Sequence, residues 1–522
     1  MFHVKISIGD STSQFIKNEP TLISKILSEC NVSFSMPCGG NHSCGKCKVR
    51  VFGEISEISQ SERALLSDEE IADGIRLACF ATVSGDCSIQ TNYQKALVET
   101  GFISPVSVDS NEIGHAFVVD IGTTTIASYL FEAGALQPLD VIGELNNQRN
   151  FGSDVISRIE YTNHNPHELH KVIISQLKTI FNRMLENRKL SKDDITKIIV
   201  TGNTTMLHIL MDYDPKSLAL FPFDTVSLFN ESFCAADIFD DFKNAVLYIP
   251  GCVSAYVGAD LVCSVVASGM CAKDETALLV DIGTNGEMAL TSNQKLYTCS
   301  TAAGPAFEGA GIKMGMFAGD GAVDNVFYEN GIITYHTIND CSPVGICGSG
   351  IINAIALFIK LGLIDETGSI SDENKDLTQY IGFDDDCDYI KIGNSGIVIT
   401  GKDIRQIQLA KSAICAGMLT LIHECKLDIE NIEKLYICGG FGNSINIQSA
   451  CAIGLIPPQF ADKTALLGNG AANGAAMILC SAKSAATANS ISGAAIDLPL
   501  SASEYFMEQY VEQMMFPLRK IL

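Results

Sequence analysis

The pentapeptide Val-Asp-Ile-Gly-Thr occurs twice in this chain, placing Asp120 and Asp281 161 positions apart. Each copy follows an apolar run, Phe117-Val-Val and Leu278-Leu-Val, and leads into a second one, ending at Leu130 and Leu290. A repeat at that interval means two homologous half-domains, not a solenoid period. Each copy reads as strand, tight turn and returning strand. Gly122 and Gly283 let the turn close so that backbone N–H groups approach anionic oxygens. Thr123, Thr124, Thr284 and Asn285 add neutral donors at the same tip. Asp120 and Asp281, at the strand ends, are placed to hold Mg2+ through water, since that ion takes few carboxylates and keeps several waters. A polar-tipped hairpin accounts for one such copy; two copies behind apolar strands point to a duplicated phosphate cradle.

A third glycine turn lies downstream. Ile432 to Gly442 reads as a buried strand opening into Gly439, Gly440 and Gly442, a turn that lets backbone lie flat against a purine and its ribose. Thr201-Gly-Asn-Thr-Thr-Met206 reads as a strand end before a helix around Leu207. Further helices are expected through Leu361 after Gly345-Ile-Cys-Gly-Ser-Gly350, over Lys402 to Cys425, and after Gly468-Asn-Gly-Ala-Ala-Asn-Gly474, the last strong one. The two aspartate hairpins and the glycine turn, in this order, resemble the acetate and sugar kinase, heat-shock chaperone and actin superfamily, in which two RNase H-like halves close on ATP. That resemblance implies ATP and Mg2+ as ligands, held by Asp120, Gly122, Thr123, Thr124, Asp281, Gly283, Thr284, Asn285, Gly439 and Gly440. Glu287, just past the second hairpin, is the candidate catalytic residue, placed to orient an attacking water. An exposed strand glutamate is the alternative.

The N-terminal region carries different chemistry. Cys38, Cys44 and Cys47 stand in a glycine-rich loop with C-x5-C-x2-C spacing, and Cys79 follows in Arg76-Leu-Ala-Cys-Phe80. Three close thiolates and a distant one suit a [2Fe-2S] cluster, which needs four soft ligands over two irons. Gly39, Gly40 and Gly45 permit a tight loop whose N–H groups stabilise the reduced, more negative cluster. Four thiolates also satisfy tetrahedral zinc, but zinc ribbons usually pair two C-x2-C knuckles and one is present here. The spacing resembles adrenodoxin-like ferredoxins. Strands over His3–Ser7, Lys46–Phe52 and Cys87–Thr91, a helix over Thr21–Cys30, and the metal loop resemble a β-grasp ferredoxin. Cys30 and Cys87 are read as structural, and Glu54 to Asp73 as loop with a turn or helix. The reading is therefore of a multidomain α+β and α/β protein: a ferredoxin-type domain over 1–95, a linker over 96–115, and RNase H-like halves over 116–270 and 271–522.

Totals narrow the function further. A formal charge of −25 argues against nucleic-acid binding, which wants a basic face. Fifteen cysteines remain besides the four ligands, an odd number in a chain with no secretion signal, so they are expected as buried reduced thiols in a cytoplasmic protein. The longest apolar run, Val344 to Ile364, holds Ser349, Asn353 and Lys360 and reads as a buried helix, with no membrane span expected. His208 reads as a satisfied helix residue, the patch Asp384 to Asp388 as a solvated loop, and Ser501 to Leu522 as a final packing helix.

A [2Fe-2S] ferredoxin fused ahead of such an ATPase resembles, nearly end to end, the reductive activators of corrinoid proteins. The carrying residues are the four cysteines, both Asp-Ile-Gly-Thr hairpins and Thr301-Ala-Ala-Gly-Pro-Ala-Phe-Glu-Gly309. The resemblance implies one-electron reduction of Co(II) to Co(I), accompanied by ATP hydrolysis. It brings in as partners a corrinoid protein of a methyltransferase system, an upstream low-potential electron donor and a second copy as homodimer. Ser300 to Glu308 is the candidate contact with the corrin or its protein. Three other readings stand beside it: an activator of a radical or dehydratase enzyme, a small-molecule kinase with a redox sensor, and an electron-transfer subunit with a degenerate nucleotide site. The first usually holds a [4Fe-4S] cluster and lacks the ferredoxin. The second needs a substrate base in the first half that the sequence does not offer, and the third is at odds with two intact hairpins.

Overall fold

A computed structural model describes residues 1–8, 11–30, 36, 40, 42, 45–91, 100–101, 114–135, 137–273, 275–384, 387–440 and 444–517. Alternating apolar residues put Val4 and Ile6 of the first strand, Phe2–Ile8, into a small core with Val49, Val51, Leu77, Val83 and Ile89. The sheet runs Ser11–Lys17, Phe2–Ile8, Thr82–Thr91, Lys48–Ile55, Ile75–Leu77, with Thr21–Leu22 also pairing Thr82–Thr91. The helix Ile23–Glu29 buries Ile23, Ile26 and Leu27 against it, giving the expected β-grasp unit. The stretch 54–73 carries two one-turn helices, Gln60–Arg63 and Asp68–Ala72, each capped by a serine. The expected linker lies mostly outside the described residues.

The duplicated pentapeptide builds duplicated sheets. In the first, His115–Ile121 runs antiparallel to Thr125–Glu132 and parallel to Ile195–Gly202; in the second, Ala277–Ile282 runs antiparallel to Gly286–Ser292 and parallel to Lys434–Gly439. The registers correspond: Asp120 faces Thr201 and Ile121 faces Gly202, as Asp281 faces Cys438 and Ile282 faces Gly439. Each parallel strand ends in a glycine because the neighbouring hairpin comes too close for a side chain. A Cβ on Gly202 would lie 2.6 Å from the Ile121 carbonyl, and one on Gly439 would lie 2.3 Å from Oδ1 of Asp281.

Where the halves meet, the helices Ala259–Ser268 and Gly470–Cys480 cross almost backbone to backbone; a Cβ on Gly474 would overlap the Cys263 carbonyl. The second half also holds two small three-stranded sheets and the long helix Gly401–Glu424, whose N-cap Thr400 forms a capping box with Asp403. Gly470–Cys480 is not the last helix, for Ala482–Ala494 and Glu504–Glu512 follow. The tail packs as expected: buried Lys411 donates to the carbonyls of Gln513 and Met515 and lies over the Phe516 ring. Gly348–Leu361 is a buried helix, and among the described residues no helix is long and apolar enough to cross a membrane. His208 is fully buried, its ring bonded to the Thr204 carbonyl and accepting from the Val226 N–H. Asp384 pairs with Lys313. Most remaining cysteines are buried, Cys263, Cys347, Cys415, Cys438 and Cys480 among them, but Cys234, Cys271 and Cys341 are exposed, contrary to expectation. The first sits on an edge strand, and the other two in or just after short 3-10 turns.

Candidate functional site

Of the four expected cluster ligands, Cys47 and Cys79 are described and converge. Their sulfurs stand 3.3 Å apart and both residues are buried. Cys38 and Cys44 lie outside the described residues. The sequence reading missed what holds Cys79 in place. Buried Glu62 accepts from Arg76 Nε at 2.9 Å and Nη2 at 2.8 Å, and from the Leu77 N–H at 2.8 Å. Ala78 then donates to the Cys47 carbonyl at 2.8 Å, tying the two cysteine segments together. Breaking a buried, bidentate pair strands a charge, so Glu62→Ala is expected to destabilise the N-terminal domain by about 3–5 kcal/mol, readable in its denaturant midpoint.

The hairpin residues line one cleft of about 190 Å3. Asp120, Gly122, Thr123 and Thr124 face Asp281, Gly283, Thr284, Asn285 and Glu287, with Gly439 and Gly440 also on the wall. Gly442 lies outside the described residues. The tips nearly touch: the hydroxyls of Thr124 and Thr284 are 3.3 Å apart. Each half supports the other half's hairpin or its own through an asparagine N-cap. Asn203, capping Thr204–Leu210, donates to Thr123 Oγ1 at 3.1 Å, and Asn469, capping Gly470–Cys480, donates across the halves to Asp120 Oδ2 at 2.9 Å. Fully buried Arg158 reaches the Thr123 carbonyl.

Glu287 is buried, not an exposed strand residue, and lies in the cleft. Two further acids there were not singled out from sequence. Asp260 opens the helix Ala259–Ser268 and lines the cleft, and no signal in its sequence neighbourhood marks it. Glu308 ends the segment expected to contact the corrin, yet it points into the cleft, and most of Thr301 to Phe307 is buried. That segment is fastened to the hairpins: the Gly304 N–H donates to the Thr284 carbonyl at 2.9 Å.

Burial of so many acids pushes their protonation upward. Desolvation raises Asp281 to about 6, and desolvation with neighbouring carboxylates adding raises Asp120 to about 7 and Asp260, facing Asp281 and Asp120, to about 8. Glu287 is raised well above the usual carboxylate range by desolvation, then by Asp260 and Asp281. Unfolded carboxyls lose their protons near pH 4, whereas these keep theirs to pH 6–8, so their contribution to stability is present at low pH and fades as pH rises through that window. The melting temperature in chelator is therefore expected to fall between pH 5.5 and 8.5, and Asp260→Asn to flatten that fall.

The ferredoxin domain sits against both halves. Lys46, beside Cys47, donates to the Ile312 carbonyl of the second half at 2.7 Å, and the helix Ile23–Glu29 lies next to Asn147–Asn150 of the first. Arg149 of that turn stacks over Phe317 across the cleft rim at 5.4 Å.

Comparison with known proteins follows these divisions. The 2Fe-2S iron-sulfur cluster binding domain matches residues 7–84, the RACo middle region residues 115–273, and the C-terminal ASKHA domain of RACo residues 275–521. "Corrinoid activation enzyme RamQ" of Eubacterium limosum is 31% identical, covering 96% of this chain and 97% of that protein. The chain belongs to the family of corrinoid-protein reductive activators. Within this family, a solved "Reductive activator for corrinoid,iron-sulfur protein" superposes with a TM-score of 0.71 at 29% identity over 99% of both chains. A "[Co(II) methylated amine-specific corrinoid protein] reductase" of Methanosarcina barkeri is 26% identical over 68% of each chain. The fold is thus the family's: a β-grasp ferredoxin domain followed by two RNase H-like halves.

Proposed function

We propose that this protein is an ATP-dependent reductive activator, passing one electron to the Co(II) of a corrinoid protein and returning it to nucleophilic Co(I). The observation that carries this reading is the union, in one chain, of a buried thiol pair with a cleft whose two hairpins nearly touch. Segment 1–95 serves electron transfer, and segments 116–270 and 271–522 form the nucleotide clamp, joined by 96–115.

Cys47 and Cys79, with sulfurs 3.3 Å apart, would supply two of the four thiolates of a [2Fe-2S] cluster, and Cys38 and Cys44 would supply the others. When bound, a [2Fe-2S] cluster supplies one electron at about −400 mV. Asp120 and Asp281, both on the cleft wall, would hold Mg2+ through water. Thr124 and Thr284 offer hydroxyls to phosphate oxygens, the Gly439–Gly440 turn leaves room for the nucleoside, and Glu287 orients the water.

The Co(II)/Co(I) couple lies below the cluster, and each ~59 mV of mismatch costs about tenfold in a one-electron equilibrium. Nucleotide closure can offset that only by binding the two states of the complex unequally. The ferredoxin's seat on both halves provides the mechanical route, since closing the cleft must move Ile312 relative to Asn147–Asn150. The work is cytoplasmic, where reduced thiols persist. ATP turnover by the reduced protein tests the reading: it should rise when a Co(II) corrinoid protein is added, and an unchanged rate with every corrinoid partner tried would reject it.

A further inference from the structure

A phosphoryl group gripped by both hairpins has to lie between their facing threonines. That place is taken. Oε2 of Glu308 accepts from Thr124 Oγ1 at 2.6 Å, and Oε1 accepts from Thr284 Oγ1 at 2.9 Å. One carboxylate thus spans the two halves and uses a hydroxyl from each, as two non-bridging phosphate oxygens would. The arrangement is built into the chain. Gly309, next in sequence, holds φ +81° with the Met316 backbone so close that a Cβ would meet its N at 2.6 Å, and the Gly304 N–H is tied to Thr284 on the other side. Burial raises the Glu308 carboxyl above its usual range, and the hydrogen bonds from Thr124 and Thr284 and then the charge of Arg158, which holds the Thr123 carbonyl, partly offset that.

We propose that Glu308 is an internal competitor for the terminal phosphoryl group, and so the residue that sets how this cleft discriminates triphosphate from diphosphate. This rests on the cleft being a nucleotide site. A nucleoside diphosphate reaches the glycines of the hairpins and leaves Glu308 on its threonines. A triphosphate must displace the carboxylate, because two anions desolvated in one position repel each other strongly. Part of the triphosphate's binding free energy is then spent on breaking the Glu308 bridge between the halves, which uncouples tight binding from closure.

Calorimetric titration of the full-length protein with ADP and with a non-hydrolysable ATP analogue, each with Mg2+, tests this. Glu308→Ala is expected to tighten the triphosphate analogue by about tenfold or more and to leave ADP within about twofold. Glu308→Gln, which keeps the shape but not the charge, should move in the same direction by less. Weaker or unchanged triphosphate binding, with ADP binding intact, would overturn the proposal and make Glu308 a ligand-holding or merely structural residue. Loss of ADP binding in both variants would overturn it equally. Wild-type protein that binds neither nucleotide would instead remove the nucleotide reading itself, a distinct result.

Discussion

Cys79→Ser is expected to yield a folded protein that cannot retain a [2Fe-2S] cluster and cannot reduce a corrinoid protein. Serine keeps the size, but its hydroxyl is a hard ligand with a pKa far above that of a thiol, so the soft four-sulfur set is broken. Its neighbours are already arranged: Cys47 sulfur at 3.3 Å, Glu62 and Arg76 fixing the preceding residues, and His42 at 2.9 Å from the Cys79 carbonyl with its ring on Phe80. Iron and acid-labile sulfide per chain, with the visible spectrum after anaerobic reconstitution, measure the loss. ATP binding should persist, because the cleft is built without Cys79. A variant that still carries a full complement of cluster would show that this cysteine is not a ligand.

Asp281→Asn should have the second largest effect, lowering the ATPase rate by roughly a hundred- to a thousandfold, the scale seen when one preorganised electrostatic group is removed. The same change should raise the metal-free melting temperature at pH 8. Asp281 pays for its position in desolvation, titrating at about 6, and an amide carries no such penalty. Opposite signs for rate and stability mark a residue kept for chemistry and not for folding. Parallel loss of both would assign Asp281 a structural role.

Much of this architecture was legible from residues alone. The repeated pentapeptide announced two equivalent sheets, because apolar run, glycine turn and apolar run leave few other options, and both hairpins fall where the repeat places them. The cysteine spacing announced the ferredoxin. Acids that depend on the meeting of distant segments were harder. Asp260 is the third residue of an unremarkable Gly-Ala-Asp, and becomes notable only because the helix it opens crosses Gly470–Cys480 and begins beside Asp281. Glu308 sat inside a segment recognised as distinctive but offered as a contact with the corrin or its protein, since nothing in its spacing says that Thr284 ties the chain inward. Glu62 lies in the polar stretch read as loop with a turn or helix and Arg76 lies 14 positions on, beyond it, so their pairing is a product of tertiary closure. Glu287 was expected near the cradle, but its burial in the cleft beside Asp260 and Asp281 depends on segments distant in sequence.

The most direct measurement of the central claim is anaerobic visible spectroscopy of the reduced protein mixed with a Co(II) corrinoid protein, with and without MgATP. Conversion of the Co(II) spectrum to that of Co(I), far more complete with ATP than without it and absent in Cys79→Ser, is the predicted result. Equal extents of Co(I) with and without the nucleotide would contradict the account, because the cleft would then contribute nothing to the electron's passage.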